Sequence, residues 1–168
     1  MPATYEPIAT TTLGSAAATI TFSSIPATYT DLRIVIPFFK ETATSQTSVV
    51  VQFNSDTGTN YSFTSVSGDG SSASSTRSSN DNYIFANFMT DATSTNLCLT
   101  TIDVFSYAGS TNKTVLATGS ADKNGSGSVE RIVGLWRNTS AINTVALKSQ
   151  IGNFATGTTA TLYGIKNA

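Results

Sequence analysis

Histidine is absent from all 168 residues. Its absence excludes Ser-His-Asp and Cys-His relays, histidine metal sites and histidine pH switches. Cysteine occurs once, at Cys98, so no intrachain disulfide can form and no oxidising compartment is implied. Charge is scarce: charged residues make up 11% of the chain, where about 25% is usual. The nine cations are scattered, no two adjacent, so the basic stripe that nucleic-acid binding needs is missing. No apolar run approaches the roughly 18 residues of a membrane helix. Met1–Pro7 lacks the basic and apolar regions of a secretory signal. These absences predict a soluble chain made in a cytoplasm, binding neither nucleic acid nor membrane.

Serine and threonine fill the space left by charge, at 23 and 29 residues. Threonine, valine and isoleucine are stiff at χ1 and favour pleated backbone. Apolar residues recur with period 2 rather than 3.6. Leu32, Ile34, Ile36 and Phe38 line one face of a strand; Val49, Val51 and Phe53 line another. Tyr83, Phe85 and Asn87 oppose Ile84, Ala86 and Phe88, so that strand is expected to be covered on both sides. Later strands are predicted at about 96–106, 113–121, 128–137, 142–149 and 158–166, separated by turn residues such as Asn124-Gly125. Nine to eleven short strands at this spacing predict an all-β fold, an antiparallel sandwich or barrel, of which the antiparallel β-sandwich is the expectation.

Two segments break the rhythm. Residues 67–82 contain no large apolar side chain and predict a long exposed loop, either a flexible Ser/Gly surface loop with no role or one in which Asp69, Arg77 and Asp81 contact a partner or a sugar. Residues 1–12 predict an extended N-terminal arm or an edge strand, with residues 13–168 forming a single sandwich domain. Tyr5 and Ile8 on that segment are candidate interface residues. So is Trp136, which ends Ile132-Val133-Gly134-Leu135-Trp136, a run apolar on both faces and expected to lie in the interior or at an interface.

No catalytic constellation assembles from these motifs. Most carboxylates, Asp56, Asp69, Asp81, Asp91 and Asp122 among them, sit in turn chemistry. Asp103 alone falls within a strand pattern, opposite Ile102 and Val104, where a surface or paired carboxylate is expected. Cys98 reads as a small buried hydrophobe. Gly68-Asp69-Gly70 is no phosphate loop, and no alternating calcium loop is present. A non-enzymatic protein with no metal and no cofactor is predicted. Sparse charge and a net charge of −1 suit a chain packed against something.

Several stretches carry a resemblance. They are Tyr5–Ala9, Phe22–Leu32, Ser106–Lys113, and above all Gly134–Asn143 and Ala160–Lys166. Through them the chain resembles small β-rich structural proteins of tailed-bacteriophage virions. The resemblance implies a jelly-roll-like sandwich, often trimeric, assembled in the bacterial host cytoplasm. It implies capsid decoration (a cement protein on the major capsid protein) or, alternatively, a tail-fibre or receptor-binding domain for host glycans. A short chain beginning at Met1 without a linker argues against a third role, a carbohydrate-binding module of an enzyme. The resemblance supplies no functional residues.

Overall fold

The computed structural model describes residues 5–41, 47–90, 95–122 and 124–166. These contain twelve strands and no helix. In chain order they are β1 (Tyr5–Thr12), β2 (Thr19–Phe22), β3 (Asp31–Phe38), β4 (Thr47–Phe53), β5 (Tyr61–Gly68) and β6 (Ala73–Asp81), then β7 (Ile84–Thr90), β8 (Cys98–Phe105), β9 (Lys113–Asp122), β10 (Gly127–Trp136), β11 (Val145–Ser149) and β12 (Thr159–Ile165). They form two antiparallel sheets. The larger runs β1-β12-β3-β8-β9-β10-β5-β6 and the smaller β2-β11-β4-β7. The protein is an antiparallel β-sandwich.

Its core follows from alternation. On β3, Leu32, Ile34, Ile36 and Phe38 point inward and are fully buried, while Asp31, Arg33, Val35 and Pro37 face out. Ile102 and Val104 on β8, Val115 and Ala117 on β9, and Ile132 and Trp136 on β10 continue the same inner layer. Phe53, Tyr61 and Trp136 cluster at one end, the last two stacked with centroids 6.2 Å apart. The Trp136 indole N–H donates to the Asp56 carboxylate at 2.8 Å, and that carboxylate also receives the Gly58 backbone N–H and the Asn60 amide. A turn carboxylate thus satisfies the polar atom of a buried ring.

Two glycines let the layers close. β7 lies against β9 and β10 because Gly119 and Gly134 have no side chain. A Cβ at Gly119 would come within 2.5 Å of the Asn87 amide, and one at Gly134 within 2.5 Å of Ile84. Asn87 is fully buried and donates to Thr100 Oγ1 of β8 at 2.9 Å. The expectation that this strand is covered on both sides holds: Ile84, Phe85, Ala86 and Asn87 are all buried.

The expected loop at 67–82 is a correction. Residues Tyr61–Asp81 form a β5–β6 hairpin, turned at Asp69, which accepts the backbone N–H groups of Ser71 and Ser72. Gly70 takes the left-handed φ of 86° that this turn requires. Loss of side-chain alternation hid the strand, because β6 borders a sheet without covering a core. Residues 5–12, by contrast, realise the edge-strand alternative: β1 pairs with β12, with a bulge at Pro7/Ala9.

Candidate functional site

In an antiparallel sandwich the outward faces are ordinarily polar. Here the outward face of the larger sheet sets large apolar side chains among its hydroxyl and charged ones. Eight large apolar side chains are exposed among the described residues, and six of them, Tyr5, Val66, Leu99, Phe105, Val129 and Val133, point outward from this sheet. Half-buried Val35, Leu116 and Leu135 lie between them. The register sets them in rows across the strands. One row reads Pro7, Tyr163, Arg33, Asp103, Leu116, Val133, Thr64, Arg77. The next reads Tyr5, Ile165, Asp31 on one half and Phe105, Thr114, Leu135, Ser62, Ser79 onward to β6.

Among the described residues one ion pair lies on this face. Arg33 Nε and Nη2 clasp the Asp103 carboxylate at 2.5 and 2.8 Å. That bidentate bond holds the guanidinium pKa above its ordinary value, against the opposing effect of partial burial. Arg33 also stands over the Tyr5 ring, 5.6 Å from its centroid, and Tyr5 meets Tyr163 edge-on. The expected paired carboxylate at Asp103 is therefore present. Arg131 donates to Thr118, and Arg137 to the Thr59 carbonyl and Asn80.

The far half of the face is hollow. A groove of about 610 Å³ crosses β9, β10, β5 and β6, lined by the side chains of Thr114, Val133, Leu135, Ser62, Thr64, Arg77 and Ser79. Its size suits a ligand or a partner's side chains. Its floor is aliphatic and hydroxylic, with one guanidinium at the rim.

The residues singled out from sequence separate. Arg77 lines the groove from mid-β6. Asp69 sits in the hairpin turn, where the Ser72 and Ser71 backbone N–H groups and the Ser72 hydroxyl hold its carboxyl below the usual range. Asp81 ends β6, a whole strand of about 30 Å from Asp69. The three do not converge on one contact loop. Tyr5 is exposed on the outer face, and Ile8 is half-buried against the core. Trp136 has no exposed surface, so its place is the core rather than an interface. The outer face was nonetheless written beside it: Val133 and Leu135 are the outward half of the doubly apolar run.

Two buried lysines complete the polar interior. Lys40 donates to the Ser149 hydroxyl and the Ile151 carbonyl, and Lys113 to the carbonyls of Gly109, at 2.7 Å, and Thr111. Burial lowers both pKa values, that of Lys40 to about 8. Each fastens a loop and stands away from the groove lining. Among the described residues no group of three or more His, Cys, Asp or Glu could hold a metal ion, and no helix is long and apolar enough to cross a membrane. No protein-family model matches this chain, and none of the curated proteins matches it either.

Proposed function

We propose that this is a non-enzymatic assembly protein of a bacteriophage virion, a capsid decoration or cement protein that lays its larger sheet against protein. The observation that carries the proposal is the apolar outer face. Six large apolar side chains exposed on one face of a sheet favour a protein contact there. The strand order supports the same reading. Without β5, β6, β9 and β10 the sheets reduce to β1-β12-β3-β8 and β2-β11-β4-β7. We read this as a jelly roll whose one sheet has been widened, an architecture recurrent in capsid proteins and lectins. Fold alone does not fix function, so the face and the resemblance bear the weight. Copy number tests it: mass spectrometry of purified virions should find the protein in hundreds of copies, whereas a dozen or fewer would move it to the tail.

A second reading, glycan recognition by a tail-fibre or receptor-binding domain, draws on the groove. Arg77 and the hydroxyls of Ser62, Thr64 and Ser79 suit an acidic sugar. Glycan binding lost in Arg77→Ala, with the fold intact, would favour it over decoration.

A further inference from the structure

In the row through Tyr5 the outer face changes relief at the boundary between β8 and β9. On the β1-β12-β3-β8 side the row through Tyr5 carries Tyr5, Ile165 and Phe105, with Asp31 between the last two and Tyr163 in the row beside it. On the β9-β10-β5-β6 side the same row carries Thr114, Leu135, Ser62 and Ser79, the lining of the groove. A two-fold axis running along the strands between β8 and β9 would reverse strand order while leaving each row at its own height. β1 of one copy would then lie over β6 of the other. Tyr5 would meet Ser79, Ile165 would meet Ser62, Asp31 would meet Leu135, and Phe105 would meet Thr114. Knobs would fall on the groove, twice per pair.

We infer that this face is a two-fold, self-complementary dimer interface, with a second copy of the same chain as its occupant. The inference rests on reading the face as an assembly surface and names its partner. Area supports it: eight strands about 4.8 Å apart and about 26 Å long give roughly 900 Å² per copy, against ~800 Å² per partner in a standard interface. Arg33 and Asp103 neutralise each other within the copy, and Arg77, at the end of the same row, falls on Pro7 at the rim of the pair. The strand-parallel axis also keeps Arg77 away from its own symmetry mate, which the perpendicular in-plane axis would place opposite. An isologous contact of this kind closes on itself and leaves no open end for fibre growth. It differs from the three-fold assembly that the resemblance implies, and stoichiometry separates the two.

The test uses the full chain. Sedimentation velocity over a concentration series should show a species of about twice 17.5 kDa. Val133→Asp and Phe105→Asp, both at exposed positions, should return it to monomer with an unchanged circular dichroism spectrum. Ile151→Asp, exposed but away from the sheet, should leave the dimer intact. The double variant Tyr5→Cys/Ser79→Cys should form an intermolecular disulfide that neither single variant forms. Within one copy these positions stand seven strand spacings, roughly 34 Å, apart. A monomer at every concentration, a trimer, a dimer indifferent to Val133→Asp, or no cross-link would overturn the inference. Co-sedimentation with capsids keeps the underlying reading separate. A monomer at every concentration that binds capsids through Val133 removes only the dimer, whereas a monomer whose capsid binding is indifferent to Val133→Asp removes the assembly face as well.

Discussion

β3 and β6 belong to one sheet and have nothing else in common. β3 lies between β12 and β8, and its inward residues are fully buried. β6 closes the sheet, pairs only with β5, and is exposed along most of its length on both faces. The first strand is held by burial, at about 25 cal/mol for each Å² of apolar surface. The second is held by its ladder to β5 and a turn. Stability therefore declines across the sheet from the covered half to the β5–β6 hairpin.

The largest expected effect lies at the covered end. Trp136→Ala removes a fully buried ring and leaves the Asp56 carboxylate without its indole donor. A loss of about 3–5 kcal/mol is expected by urea denaturation. Gly119→Ala comes next. Its methyl group would enter the Asn87 amide, so about 1–3 kcal/mol is expected from overpacking. Equal stability of that variant would mean that β7 is held less tightly than the sheet spacing indicates.

The pH dependence is smaller and has a defined direction. Unfolded Lys40 keeps its proton up to its ordinary 10.5, whereas folded Lys40 releases it near 8 because burial disfavours the charge. Between these values the unfolded chain binds more protons, so stability rises with pH from about 8 to about 10. The gain is at most about 3 kcal/mol. Above that range Tyr61, which burial pushes up to about 12, acts in the opposite sense. Thermal unfolding between pH 7 and 10 should show the rise, and Lys40→Met should reduce it, leaving the share due to Lys113.

At the open end the effects become local. Asp69→Ala removes the acceptor of two turn N–H groups. It should speed hydrogen exchange along Ser74–Ser79 while β3 amides keep their protection. Ser75→Ala should change global stability by less than about 0.5 kcal/mol. A larger loss would show that β6 is part of the cooperative core and would dissolve the contrast between the two strands.

The same contrast explains what could be read in advance. Leu32, Ile34, Ile36 and Phe38 announce β3 because each inward position must be apolar. Residues 98–105, 113–122, 127–136 and 159–165 were equally legible, within a few residues at each end. Ala73–Asp81 announces nothing, since a strand without a covered face imposes no alternation, and its serines and threonines resemble a loop. Trp136 was ambiguous because Ile132–Trp136 is apolar at both parities. The structure assigns one parity to the core and the other to the outer face. Gly119 and Gly134 were signals left unread: glycine inside a strand marks close approach. The groove was out of reach, since it joins residues from four strands whose order no local pattern gives.

Cys98 opens β8 opposite Phe38 and Ala121 and is fully buried. A lone thiol at the seam of the best-covered strands is a natural clock. A thiol reagent in excess can reach it only when β8 parts from its neighbours, so the modification rate reads the opening frequency of the molecule's most protected region. Wherever the chain is placed, alone, paired or on a particle, the same sulfur would time that opening without any added label site.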